Sequence, residues 1–188
     1  MALEILTFKS PSAFRNWLEK NHAATEGIWL RVFKKDSREQ SITYGEALDQ
    51  ALCYGWIDGQ KKAHDDHSWL QKFTPRRPKS GWSKMNTRHA ERLIESEKMA
   101  PAGLKEVEAA KRDGRWKAAY DSFGNATVPI DFLKELAKDN KAKAFFETLN
   151  KTNLYSIAYR LQTAKKPETR EKRMKAIIEM LARGEKFH

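Results

Sequence analysis

The chain has 188 residues, 40% of them hydrophobic and 32% charged, which suits one folded domain or two small ones rather than a disordered segment. Lys and Arg number 36 against 25 Asp and Glu, a formal charge of +11, so polyanions are the class of partner this balance attracts. A single cysteine, Cys53, excludes an intrachain disulfide, and the start of the chain has neither the basic n-region nor the apolar h-region of a signal peptide. A cytoplasmic location and the absence of a membrane span are expected from these features.

The first element expected is a helix at residues 10–21. Ser10 caps it, Pro11 suits its first turn, and Phe14, Trp17 and Leu18 share a face. Residues 27–35 alternate as a strand, with Ile28, Leu30 and Val32 opposite Trp29, Arg31 and Phe33. Both sets are bulky, so cover on both faces is expected for part of its length. After a polar loop, Thr43 and Glu46 spell a capping box for a second helix. Its apolar stripe is Ala47, Leu48, Ala51 and Leu52, and Gly55 stops it.

Residues 56–63 and 67–74 read as a hairpin turning at His64, Asp65 and Asp66. Pro75 and Pro78 then interrupt regular structure. From Ser83 the chain is predominantly helical. Helices are expected at 83–96, anchored by Met85, Leu93 and Ile94, and at 101–113, 129–138, 140–149, 152–164 and 167–183. The fold class expected is α+β: a small N-terminal antiparallel-sheet module with helices, then a mostly helical C-terminal region. The divisions are a module at 1–80, connecting helices and a linker at 81–125, and a helical region at 126–188.

The most distinctive stretch is residues 73–86. Lys72, Arg76, Arg77, Lys79, Lys84, Arg88 and Arg92 surround it against one acid, Glu91. Arginine forks suit phosphate or carboxylate, and a helix start at Ser80 to Lys84 offers backbone amides to an anion. Trp82 is either a platform for a base or a hydrophobic staple before Ser83. The candidate anion site is therefore Arg76, Arg77, Lys79, Trp82, Ser83 and Lys84.

No metal-ligand set, nucleophile triad or phosphate-binding glycine loop is spelled out, and no cofactor is called for. His64, Asp65, Asp66 and His67 are neighbours in a turn, where consecutive residues rarely face one ion. Cys53 lies among apolar residues and reads as a buried thiol. Asp58 is a weak catalytic candidate, either a general base or a turn residue paired with Arg76 or Arg77. In the last helix Lys165, Lys166, Arg170, Lys172, Arg173 and Lys175 oppose Met174, Ile177, Ile178 and Leu181, the pattern of a helix packed on one side.

Three runs carry a resemblance: ITYGEALDQALCYGWIDGQ (42–60), FTPRRPKSGWSKMN (73–86) and YRLQTAKKPETREKRMKAIIEMLARGE (159–185). Together they resemble the YdeI/OmpD-associated, or bacteriocin-protection, family, over nearly the whole of residues 8–185. The resemblance implies no reaction and no catalytic residues. The reading that follows is a binding module for an anionic partner (phosphate, nucleotide or nucleic acid) through residues 76–84. One alternative is an enzyme on a small acidic or phosphorylated substrate with Asp58 as acid/base. Another is a stress-related protein-interaction module.

Overall fold

The computed structural model describes residues 2–188, and they divide into two compact units. The first comprises residues up to 80 together with 86–117; the second comprises 81–85 and 118–188.

The first unit is built on a four-stranded sheet of order β1-β2-β4-β3. The strands are β1 (Ile5–Leu6), β2 (Ile28–Phe33), β3 (Trp56–Ala63) and β4 (Ser68–Pro75). β2, β4 and β3 are antiparallel, and β1 adds to β2 in parallel. Helix α1 (Pro11–Asn21) starts where expected, with the Ala13 amide donating to the Ser10 hydroxyl at 3.2 Å. Helix α2 (Tyr44–Cys53) carries the reciprocal Thr43–Glu46 capping box.

Alternation decides which face of the sheet meets these helices. Opposed residues in antiparallel strands share a face, so Ile28 with Phe73 and Leu30 with Gln71 point one way. All four are buried. Phe14 of α1 packs on Phe73 with ring centroids 6.0 Å apart, and Trp17 meets Trp56 edge-on at 5.8 Å. Trp56 Nε1 donates to the His22 carbonyl at 3.0 Å, satisfying an acceptor at the end of α1. Burying Phe14 and Leu18 contributes about 1.5–3 kcal/mol each, which is what holds α1 on the sheet.

The opposite face bears Trp29, Arg31 and Phe33, all half-buried. Its cover comes from the sheet's own long side chains: the Lys62 ammonium lies over Trp29 and the Arg31 guanidinium over Phe33. Arg31 Nε donates to the Ser68 hydroxyl at 2.9 Å, and its fork reaches Asp65 at 2.7 Å.

Helix α3 (Lys84–Glu95) buries Asn86, Thr87, Ala90 and Leu93, while Met85 is 40% exposed. The expected Met85 anchor is thus corrected: two small polar residues take the inward positions. Helix α4 (Pro101–Arg112) returns to α2, the Ala100 amide donating to the Cys53 carbonyl at 3.1 Å.

The second unit contains α5 (Ile130–Leu136), α6 (Asn140–Phe146), α7 (Lys151–Gln162) and α8 (Pro167–Ala182). Its core is Phe132, Leu136, Ala142, Ile157, Leu161, Ile177 and Leu181. Met174 and Ile178 pack against that core, so the apolar stripe read in the last helix faces inward. Among the described residues no helix is long and apolar enough to cross a membrane.

Candidate functional site

The predicted anion segment is cut by the boundary between units. In the first unit, β4 ends at Pro75 and the Arg76 amide donates to the Gly55 carbonyl at 3.0 Å. The Arg76 side chain is buried, 6% exposed. The next residues form a turn closed by Ser80 N–H to the Arg77 carbonyl at 3.0 Å, with Lys79 in the left-handed region at φ 67°. Arg115 fastens it by donating to the Ser80 carbonyl at 2.8 Å. Arg77 and Lys79 are exposed.

In the second unit, Trp82 is only 1% exposed, so its ring belongs to packing and has no open face. Ser83 bridges to Tyr120; the Lys84 amide donates to the Tyr120 carbonyl at 2.8 Å. The Lys84 ammonium meets Asp121 at 2.8 Å. The helix-start donor and the cation at Lys84 thus both have protein partners. Of the six residues, Arg77 and Lys79 are the exposed cations of their unit.

Asp58 lies on β3 opposite Phe73, just before a register break between Asp58 and Lys61. Gln71 fills the irregularity, its Nε2 donating to the Gly59 carbonyl at 2.8 Å. The partner of Asp58 is the Tyr44 hydroxyl, which donates at 2.8 Å, in place of Arg76 or Arg77. Burial first, then the Asp58 charge and hydrogen bond, push the Tyr44 phenol well above its ordinary range. The Asp58 carboxylate is therefore tied to the fold by α2.

The turn after β3 is similarly organised. Asp65 accepts from Arg31, the Ser68 hydroxyl and the His67 amide. The Ser68 hydrogen bond leads the effects that hold its carboxyl down to about 2. On α3, His89 and Arg92 both reach Asp49 of α2, at 2.9 and 2.6 Å. Cys53 is fully buried; burial raises its thiol while Arg15 pulls it the other way.

What the sequence reading missed is the grouping of cations along the β3–β4 hairpin. Lys61 lies over Trp69 at 4.1 Å and Lys62 over Trp29 at 4.2 Å. With Lys72, Arg77 and Lys79 they make five cations, none in an ion pair among the described residues. In the same unit Arg31, Arg92 and Arg115 are each matched by an aspartate, while other cations such as Lys20, Lys35 and Lys105 also stand without an ion pair among the described residues. The signal in the sequence was the Lys61-Lys62 pair in an arm rich in tryptophan; its meaning needed the strand register.

Each unit also has a cleft. That of the first unit, about 760 Å³, lies at the end of β2 and is lined by Thr7, Lys9, Arg31, Phe33, Arg38 and His67. Asp36 and Glu39 share its wall, and Arg31 is already held by Asp65, so its cationic character is largely offset. That of the second unit, about 370 Å³, lies between α7 and α8 and is lined by Tyr155, Ser156, Tyr159, Arg160, Thr163 and Arg173. Among the described residues no three His, Cys, Asp or Glu side chains gather as metal ligands.

Residues 6–106, more than half of the chain, match the model of a domain of unknown function, DUF8412, and the chain belongs to that family. Residues 125–184 match the model described as bacteriocin-protection, YdeI or OmpD-associated. The family read from the sequence is therefore matched in the second unit, whereas the 42–60 and 73–86 runs fall within the other model. No curated protein and no solved structure matches the chain.

Proposed function

We propose that the chain is a binding module for a polyanionic partner of the nucleic-acid class. Its contact surface is the β3–β4 hairpin with the turn that follows. The 76–84 segment contributes its exposed cations, Arg77 and Lys79. The observation that carries this reading is the grouping on one hairpin and its turn of five cations, Lys61, Lys62, Lys72, Arg77 and Lys79, without an ion pair among the described residues. Unmatched surface cations repel one another and are relieved by phosphates, whose counterions are released on binding. Lys61 stacks on Trp69 on the face that meets α2 and Lys62 on Trp29 on the opposite face, so the two straddle the β3 edge. Each stands beside an aromatic ring, the pairing of charge and ring found where strands of nucleic acid are held.

A second reading is favoured by the sheet order. β3 is an edge strand, and lysines on an edge discourage pairing with another chain. The two roles separate experimentally. Fluorescence anisotropy with labelled duplex and single-stranded DNA and RNA, read across salt, tests binding. Five neutralised phosphates give a log-affinity slope against log salt of about −4.5 on duplex DNA, or about −3.5 on a single strand. The Lys61→Gln/Lys62→Gln variant lowers the duplex slope by about 1.8. Absent or salt-insensitive binding by the natural chain overturns the proposal. Self-association of that same variant, with no change in nucleic-acid affinity, assigns the lysines to edge protection.

A further inference from the structure

The α7–α8 cleft of the second unit has a chemistry of its own. Tyr155 and Tyr159 of α7 and its C-cap Thr163 are spaced by four, and Ser156 and Arg160 form the adjoining row, so one helix face with its cap supplies the floor. Arg173 comes from α8 and donates to the Arg160 backbone carbonyl at 2.7 Å, which ties its guanidinium to α7 at the cleft. The Arg160 guanidinium lies over Phe187 at 4.2 Å. Neither arginine forms an ion pair among the described residues, whereas Arg170, Lys138 and Arg183 of the same unit do. Both arginines line the cleft, one guanidinium held by a carbonyl and the other by a ring, and neither is neutralised by an ion pair among the described residues.

Beside them is an aromatic surface. Tyr159 is 39% exposed, meets Tyr120 edge-on at 5.0 Å, and lies 5.9 Å from Tyr155. Phe123 packs on Tyr155 at 5.3 Å. The edge contact with Tyr120 and the tilted one with Tyr155 hold the Tyr159 ring and leave area on it open. Hydroxyls complete the lining. Thr163 donates to the Tyr159 carbonyl at 2.7 Å, so its oxygen presents lone pairs, and Ser156 lies 3.1 Å from His188 Nε2. A volume of about 370 Å³ falls in the range of small-molecule sites, about 300–1,000 Å³.

We propose that this cleft binds a phosphate monoester carried next to a planar base, with Arg160 and Arg173 on the phosphate and Tyr159 against the base. The proposal is independent of the hairpin surface. Two sources present this chemistry, a free nucleoside monophosphate and the 5′-phosphorylated end of a strand.

Calorimetric titration of the full chain with AMP, adenosine, inorganic phosphate, and a short oligonucleotide with and without its 5′-phosphate tests it. AMP or the phosphorylated strand binds, at least tenfold more tightly than its unphosphorylated counterpart; which of the two binds better identifies the source. Arg160→Gln and Arg173→Gln each weaken that binding about tenfold or more, a loss of the size expected for one charge-assisted fork. Tyr159→Leu weakens AMP but leaves inorganic phosphate unchanged, which a merely folded-state role would not do. Lys61→Gln/Lys62→Gln leaves AMP affinity intact. Urea unfolding of each variant verifies the fold. Failure of both AMP and the phosphorylated strand to bind the natural chain, or equal binding by folded Arg160→Gln and Arg173→Gln, overturns the proposal.

Discussion

At Gly103 helix α4 lies against the end of α2, and replacing it by alanine is expected to destabilise the first unit. A Cβ there would lie 2.3 Å from the Cys53 carbonyl oxygen, 2.7 Å from that of Leu52 and 2.6 Å from Met99 Sδ. Two of these obstacles are backbone atoms at the end of a helix and cannot rotate away. The helices must part by more than half an ångström, which also stretches the Ala100–Cys53 hydrogen bond of 3.1 Å. Overpacking costs about 1–3 kcal/mol and a weakened hydrogen bond about 1 kcal/mol. The better helix propensity of alanine offsets about 1 kcal/mol. The net loss is about 1–3 kcal/mol, measurable in urea by the fluorescence of Trp17 and Trp56, both in that unit. Gly45→Ala is the control: nothing lies within 4 Å of its Cβ position in α2, so propensity alone acts. It is expected to stabilise by up to about 1 kcal/mol. A Gly103→Ala protein as stable as the natural one would refute the close packing of α2 and α4.

Asp65→Asn removes a carboxylate whose folded pKa lies at about 2, below its ordinary value of 3.8. Such a group stabilises above its unfolded pKa, and the contribution is lost as pH falls from about 4 toward 2. The stability gap between natural and Asp65→Asn proteins should therefore be full at pH 7 and close on acidification; a gap independent of pH contradicts it. Tyr44→Phe and Asp58→Ala, singly and together, should show a coupling of about 0.5–1.5 kcal/mol in a double-mutant cycle of urea unfolding, because one hydrogen bond joins them. Additive losses would detach Asp58 from α2. Thr43→Ala should cost about 1 kcal/mol through loss of the capping box on α2, read as a lower urea midpoint.

Features set by neighbours in sequence were legible. The Ser10 cap, the Thr43–Glu46 box and Pro101 and Pro167 at helix starts each depend on a few adjacent residues, and each stands where expected. The alternation of residues 27–35 gave both the strand and its two faces. Features set by distant partners were not legible. β1 is two residues long and exists only through parallel pairing with β2. The irregularity after Asp58 is invisible until β4 supplies a register and Gln71 supplies the donor. Met85 misled because hydrophobicity is a guide to burial only where the inward positions are apolar; α3 buries Asn86 and Thr87 instead. The candidate segment was recognised by its charge, yet Lys84 meets an aspartate far along the chain that no spacing rule links to it.

That last pairing bears on how a net charge of +11 should be understood. A surface ion pair contributes little to stability, about 0–1 kcal/mol, so matching a lysine with an aspartate changes the fold only slightly. It changes availability much more, since a matched cation must exchange one anion for another before it can hold a partner. Arg31, Arg92, Arg115, Arg170 and Lys84 are matched, and each would bind an anion only by releasing its aspartate. The β3–β4 hairpin with its turn, and the Arg160–Arg173 pair, need no such exchange. In one the cations stand apart along the edge strand β3, its neighbour β4 and an exposed turn, a layout suited to an extended polyanion. In the other two guanidiniums share one small cleft with a tyrosine ring, a layout suited to a single phosphate. Spacing, more than the number of charges, is what separates a surface for a polymer from a site for one group.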